Sequence, residues 1–298
     1  TAQGAKNAGD YTLTAAGQTS GNYNIAYVDN TLNIAKANAI VTANSGNLTY
    51  NGQNQSLNGF TASGLVNGET ASVLSGVTAS GSGTNAGSYN VLASGSDSNY
   101  NLTLNNGTLT IDKANLTVTA NAASKTYDGL SYSGGNGVAY SGFVNSETAS
   151  VLGGSLNYGG TAQGAKNAGN YTLTASGQTS GNYNIAYVGN QLNIAKAHLT
   201  VAADNQSRLY GDANPVLSTK LSGFVNGETL LSAGVTGSAS ASTTATASTN
   251  VGTTEAIIAS SGSLAASNYD FTNLSHGTLS VTPRPITVTA DAVTRVYG

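Results

Sequence analysis

Cysteine, methionine and tryptophan are absent from this chain of 298 residues, proline occurs three times, and only 8% of the residues carry charge. Each shortage excludes something. Without cysteine there is no disulfide scaffold, no thiolate metal site and no cysteine nucleophile. The charged fraction is far below the roughly 25% of an ordinary soluble domain. A net charge of −3 leaves no basic surface for nucleic acid or anionic lipid. No apolar run approaches the roughly 20 residues of a membrane-spanning helix. No signal peptide opens the sequence, which begins in mid-phrase at Thr1. Glycine, asparagine, serine, threonine and alanine fill the space instead. Apolar residues still make up 39%, with sixteen tyrosines, too many for a disordered polar tract.

The composition hides a repeat. Residues 1–37 and 161–197 differ only at Asp10/Asn170, Ala16/Ser176, Asp29/Gly189 and Thr31/Gln191. The punctuation is a junction in which one strand ends, a basic residue follows and another strand begins. It reads LNIAKANAIVTA (32–43), LTIDKANLTVTA (109–120), LNIAKAHLTVAA (192–203) and LSVTPRPITVTA (279–290). This defines three modules, 38–114, 115–197 and 198–284, of 77, 83 and 87 residues. The echo at 161 is the opening phrase returning two modules later. Residues 1–37 read as the C-terminal part of a further module and 285–298 as the first strand of another, so both ends look cut from a longer array.

Every module follows one plan. It opens with period-two alternation, such as Leu116, Val118 and Ala120 against Thr117 and Thr119, the signature of a half-buried strand. A tyrosine turn follows: LTYNG (48–52), KTYDG (125–129), RLYGD (208–212) and RVYG (295–298). Asn-Gly and Asp-Gly supply the positive φ that tight turns need. Next come GLVNGETASVL (64–74), GFVNSETASVL (142–152) and GFVNGETLLSAG (223–234). Asn67, Asn145 and Asn226 are placed to cap a short helix, with Glu69, Glu147 and Glu228 in its first turn favouring the dipole. Helices are therefore expected near 67–74, 145–152 and 226–232. Alternating strands close the module, with Tyr183, Ile185 and Tyr187 on one face and Tyr171 with Leu173 on another, as core stripes. The sum is about five strands and one short helix per module.

This order of motifs resembles the YDG and MBG-type repeat modules of very large bacterial surface proteins, among them filamentous-haemagglutinin-like exoproteins and adhesins exported by two-partner secretion. The resemblance rests on SKTYDG (124–129), RLYGDANP (208–215), the SGF-V-N-G-E-T element (222–229), SNYD (267–270) and the junctions, and covers essentially the whole chain. Module 2 is of the YDG type and module 3 of the YGD/MBG type, while module 1 carries Asn51 where Asp128 stands. The resemblance implies small β-grasp-like modules, a sheet with one short helix each, strung into an elongated array.

Catalytic chemistry does not recur. His276 occupies the slot of Asn106, before a turn glycine, where positive φ is tolerated. His198 occupies the slot of Asn115, Asn38 and Pro285, a filler position and not a shared base. The nine aspartates and four glutamates are scattered without a calcium-loop spacing, and the junctions carry Lys36, Lys113, Lys196 and Arg284, which argues against calcium-stiffened links. Asn101, Asn115 and Asn170 begin Asn-x-Ser/Thr triplets, expected by chance in so polar a chain. The sequence thus predicts no catalytic, cofactor-binding or metal residues, no enzyme and no cofactor. It predicts extracellular stalk modules of a bacterial surface or secreted adhesin, supporting adhesion or biofilm formation, whose partners are the neighbouring modules. The alternative is a multivalent array binding surface glycans, matrix or other cells through tyrosines exposed at one place per module. A β-solenoid is disfavoured, because solenoid coils are much shorter than these modules.

Overall fold

The structure, a computed structural model, describes residues 2–298. It is mostly β. Among the described residues the only helices are two 3-10 turns, Ala71–Val73 and Ala149–Val151. The chain divides into two compact units. One gathers the residues through Val118 with Tyr140–Leu156 and Gly177–Ala186. The other gathers Thr119–Ala139, Asn157–Ser176 and Tyr187–Gly298. The middle sequence repeat contributes to both, so the compact units and the sequence repeats do not coincide.

In the first unit the opening strand Ala37–Ala43 lies between Phe60–Ser63, antiparallel, and Tyr100–Asn105, parallel. A second sheet has the order Gly46–Thr49, Gly107–Asp112, Gly87–Gly95, Val77–Gly83, Gln55–Asn58. Its first pair is parallel and the others antiparallel. Alternation drives the packing: Ala39, Val41 and Ala43 are buried and Asn38, Ile40 and Thr42 are exposed. The core joins Ala39, Val41 and Tyr100 of one sheet to Val77 of the other, with Leu74 at the end of the 3-10 turn between. Fully burying a side chain the size of Leu74 contributes about 1.5–3 kcal/mol.

The second unit repeats this arrangement at its C-terminal end. Ala197–Ala203 lies between Thr219–Ser222, antiparallel, and Tyr269–Ser275, parallel. Gln206–Leu209 runs parallel to Gly277–Thr282, which pairs antiparallel with Thr254–Ser260, and that strand with Ser240–Ser242. The core holds Val201, Ile257, Ala259 and Leu279. From the middle repeat this unit takes Ala123–Thr126, parallel to Asn190–Ala195, which is antiparallel to the start of Gly169–Thr179.

Two expectations change. The first repeat has eight short strands in two sheets where about five strands were expected, because four-residue strands stand on both sides of its tyrosine turn, Gly46–Thr49 pairing with Leu109–Asp112 and Gln55–Asn58 with Ser80–Gly83. A β-grasp plan would place a helix across one sheet; here two sheets share the core. The helix shrinks to one 3-10 turn at 71–73 and 149–151, and 226–232 forms turns only. Asn67, Asn145 and Asn226 do not cap it. Their φ values are 57°, 49° and 50°, which is left-handed, and an N-cap residue is extended. Thr70 and Thr148 hold the cap positions instead. Each asparagine begins the bend of a tight turn closed by a backbone bond from the glutamate N–H to the valine two residues before the glycine or serine, Glu69 to Val66, Glu147 to Val144 and Glu228 to Val225.

Residues 2–37 supply one hairpin, Gly9–Leu13 with Asn30–Ile34. The strand expected at 285–298 does not form, and those residues are exposed throughout. Their apolar stripe has no described strand to pair with.

Candidate functional site

The residues that recur in every repeat meet where one repeat hands the chain to the next. Gly107–Asp112 is followed, after Lys113 alone, by Ala114–Ala120. Asn190–Ala195 is followed, after Lys196 alone, by Ala197–Ala203. Single residues leave little conformational freedom. The lysines are tied down as well: Lys36 Nζ donates to the Asp97 carbonyl at 2.7 Å, Lys113 to Ser180 at 3.0 Å and Lys196 to Ala266 at 2.8 Å.

Around the first complete junction, within the first unit, lies a tyrosine clasp. The Tyr50 backbone N–H donates to the Asp112 carbonyl at 2.8 Å, which aims the ring forward. Its hydroxyl donates to Glu147 Oε1 at 2.6 Å. The Tyr183 hydroxyl donates to Glu147 Oε2 and accepts from the Val144 N–H at 3.1 Å. The two rings meet edge to face at 5.5 Å. Asn145 Nδ2 donates to the Gly52 carbonyl at 3.0 Å. A Cβ on Gly52 would stand 2.6 Å from Asn145 Cβ, and Gly52 has φ of 73°, so the turn requires glycine there.

The second unit contains the same clasp. Tyr127 donates to Glu228 Oε1 and Tyr269 to Oε2, both at 2.6 Å, and the Val225 N–H donates to the Tyr269 hydroxyl at 3.0 Å. The rings meet edge to face at 5.4 Å, Asn226 Nδ2 donates to the Gly129 carbonyl at 3.3 Å, and a Cβ on Gly129 would stand 2.8 Å from Asn226 Cβ. An asparagine clip lies beside each clasp. Asn182 Oδ1 accepts from the Ala86 N–H and its Nδ2 donates to Asn85; Asn268 does the same to Ala168 and Asn167, and Asn99 to Ala8 and Asn7.

The electrostatics follow from geometry. Burial, reinforced by the hydrogen bond to the glutamate, pushes Tyr50 and Tyr127 up to about 12. Tyr183 and Tyr269 also rise, burial first. Burial alone would raise the Glu228 carboxyl, but the Tyr127 and Tyr269 hydroxyls, with Lys166 nearby, hold it below its ordinary value. Of the glutamates expected to serve a helix dipole, Glu147 and Glu228 are therefore acceptors for two phenols each, and Glu69 accepts from Tyr100. What these residues form is a hydrogen-bonded clasp that ties the tyrosine turn of one repeat to the asparagine turn of the next.

The other candidates take smaller roles. His276 does not have the positive φ its slot would tolerate; its Nδ1 accepts from the Ala259 N–H at 3.0 Å, as Asn106 Oδ1 accepts from Ala93. His198 Nδ1 faces Asp270 Oδ1 at 2.7 Å near the surface. Among the described residues no three His, Asp or Glu side chains cluster to hold a metal. Asn101, Asn115 and Asn170 are exposed. Arg208, unremarked in the sequence beyond its motif, is the one buried charged side chain among the described residues. Its guanidinium donates to Asn214 Oδ1 and to the Leu209 and Thr246 carbonyls, which accounts for the RLYGDANP spelling of the third repeat. The clasp is not legible in local pattern because its partners lie 97 residues apart for Tyr50 and Glu147 and 101 for Tyr127 and Glu228; the recurrence of the tyrosine turn one repeat before each Asn-Gly/Ser-Glu element is the available signal.

Comparison with curated proteins gave no match. A family comparison matches the MBG domain (YGX type) at residues 39–110, 116–193 and 199–280. With three tandem matches spanning most of its length, the chain belongs to the MBG domain family.

Proposed function

We propose that this chain is a non-catalytic spacer region of a bacterial cell-surface or secreted adhesin, in which tandem repeats hold a binding region away from the cell. One observation carries the reading: the same Tyr–Glu–Tyr clasp, with its glycine and asparagine, recurs at two successive junctions. Conformational stiffness between repeats is what a spacer needs and what an enzyme or a free ligand-binding bead does not. Of the tyrosines that recur in each repeat, Tyr50, Tyr100, Tyr127, Tyr183 and Tyr269 are buried and Tyr210 alone is exposed, which counts against the aromatic platform, at one place per repeat, that a glycan-binding array would display. Among the described residues no helix is long and apolar enough to cross a membrane.

Small-angle scattering on the full chain tests the reading. A compact repeat of about 80 residues is roughly 30–40 Å long, so three held in line give a maximum dimension of about 100 Å or more. A compact particle near 60 Å would overturn it. The double variant Tyr50→Ala, Tyr127→Ala should keep its strands and yet scatter as a chain with flexible joints.

A further inference from the structure

Asparagine followed by glycine is the dipeptide most prone to lose its side-chain amide, because glycine leaves its own nitrogen open to attack the side chain before it. The chain contains six such pairs, at Asn51, Asn58, Asn67, Asn106, Asn136 and Asn226. The fold restrains five of them. The Gly59 N–H, whose nitrogen would have to attack, donates to the Ala79 carbonyl at 3.0 Å. Asn106 Oδ1 accepts from the Ala93 N–H, and Gly107 is buried opposite Val91, away from water. Asn136 Nδ2, the leaving group, donates to the Ala122 carbonyl at 2.8 Å. Asn67 and Asn226 are left-handed, at φ of 57° and 50°, in turns closed by the Glu69 and Glu228 N–H groups, and a ring through the next nitrogen cannot close until the turn opens. Asn51 has none of these restraints. It is exposed, and the Gly52 N–H meets no acceptor among the described residues. Its Oδ1 accepts from the Gln53 N–H at 2.9 Å, which leaves Nδ2 free to depart.

We propose that Asn51 is a site of spontaneous deamidation and that one product of the reaction releases the clasp between Tyr50 and Glu147. The Gly52 nitrogen gives its proton to hydroxide and attacks Asn51 Cγ. The bond from Cγ to Nδ2 breaks, and ammonia leaves with a proton taken from water, so that a five-membered succinimide remains. The Gln53 N–H steadies the negative charge that develops on Oδ1 during the attack. Water then opens the ring: addition at Cγ gives aspartate, and addition at the backbone carbonyl gives isoaspartate. Overall one water is consumed and one ammonia released. The two products differ at the clasp. Aspartate fits, since Asp128 fills the same slot in the second repeat, where its Oδ1 accepts from the Leu130 N–H at 2.9 Å as Asn51 Oδ1 accepts from Gln53. Isoaspartate routes the main chain through Cγ and inserts one more carbon between Tyr50 and Gly52. The Tyr50 hydroxyl donates to Glu147 at 2.6 Å and the Gly52 carbonyl accepts from Asn145 Nδ2 at 3.0 Å, while a Cβ on Gly52 would already stand 2.6 Å from Asn145 Cβ. Both bonds cannot survive the insertion. This chemistry does not depend on the spacer reading.

The test incubates the full chain in weakly alkaline buffer, below the range near pH 10 in which tyrosines ionise. Peptide mapping by mass spectrometry follows the conversion of amide to acid at each of the six pairs. Asn51 should react about fivefold or more faster than any other, the difference made by one hydrogen bond that the reactant need not give up. In concentrated urea the six rates should converge, because all six are then the same dipeptide in an open chain. Enzymatic methylation of isoaspartate separates the two products, and NMR reads the clasp through the Asn145 side-chain amide. That signal should move to an unbonded position in the isoaspartate fraction and keep its place in the Asn51→Asp variant, which carries the other product alone. A rate at Asn51 no greater than at the other pairs would overturn the proposal, and so would the same ranking in urea, since the fold would then select nothing. An isoaspartate fraction whose Asn145 signal matches that of the unreacted chain would overturn the release of the clasp.

Discussion

At the residue scale, the three asparagine turns form a natural substitution series. The second central position of the tight turn is Gly68, Ser146 or Gly227, and Ser146 is held at φ of 59°. A left-handed conformation costs an L-residue about 1–2 kcal/mol, partly offset by the extra freedom glycine has when unfolded. Ser146→Gly should therefore stabilise the protein by about 0.5–1 kcal/mol in urea denaturation, while Gly68→Ser and Gly227→Ser should each cost a similar amount. Titration reads the same sites from another side. A tyrosine whose folded value is raised favours the neutral hydroxyl in the fold. Its contribution is complete below the unfolded value near 10 and is lost as pH rises through the folded value. With Tyr50 and Tyr127 at about 12, both clasps should hold to about pH 10 and open between there and about 12. Ultraviolet difference absorbance should show a group of tyrosines ionising above about pH 10 together with loss of structure. If all sixteen titrate in one step near pH 10, the clasps are not buried as described. The carboxylate acts in the opposite sense: Glu228 is held low, so its contribution is present above about pH 4.3 and fades as the solution is acidified further.

At the element scale, one octapeptide occurs in two states. Residues 181–188 and 21–28 both read GNYNIAYV, yet Tyr183–Val188 is a strand with Tyr183 buried, while the first copy forms no strand and Tyr23 is 79% exposed. In the first and third repeats the equivalent strand lies parallel beside the opening strand of its own repeat, as Tyr100–Asn105 does beside Ala37–Ala43. Among the described residues no strand lies parallel beside Tyr23–Val28; residues 2–37 hold only the pair Gly9–Leu13 with Asn30–Ile34. Assigned NMR hydrogen exchange should find the Tyr23–Val28 amides near their intrinsic rates and those of Tyr183–Val188 slowed by more than about a hundredfold, an opening cost of roughly 3 kcal/mol. Comparable protection in both copies would contradict the structure. The contrast also marks what the sequence can tell. The closing strands were legible because alternation is local: Gly87–Gly95, Gly169–Thr179 and Gly107–Asp112 lie where AGSYNVLASG, AGNYTLTASG and GTLTI suggest. The short strands beside the tyrosine turns were not, since Gly46–Thr49 is fixed only by a parallel partner at Leu109–Asp112. At Asn67-Gly68 and Asn226-Gly227 a turn dipeptide has the same letters as a helix cap, and the left-handed asparagine makes it a turn whose following glutamate meets tyrosines and not a helix dipole.

At the scale of the whole molecule, the strand order sets how a repeat bears tension, and this decides whether it can serve as a spacer. Force enters a repeat at its opening strand and leaves through its closing strand. In the first repeat Ala37–Ala43 runs parallel to Tyr100–Asn105, and Gly46–Thr49 parallel to Gly107–Asp112. The third repeat repeats both pairings, Ala197–Ala203 with Tyr269–Ser275 and Gln206–Leu209 with Gly277–Thr282. Pulling parallel strands by opposite ends loads all their hydrogen bonds together in shear; it cannot open them one at a time, as unzipping an antiparallel pair would. Rupture is then rare and cooperative, so single-molecule pulling should give discrete force peaks. The spacing identifies the unit that yields. A repeat of about 80 residues released into extended chain lengthens by about 250 Å, at 3.3–3.6 Å per residue less its folded length. Steps near that value mean that each sequence repeat unfolds by itself. Steps near twice that value mean that the two compact units, which divide the middle repeat between them, are the mechanical bodies. A smooth extension without peaks would remove the shear argument and, with it, the case that these repeats carry load. Thr110→Pro, which deletes a donor from the closing strand where it pairs with Gly46–Thr49 and Gly87–Gly95, should lower the rupture force of one peak and leave the others unchanged.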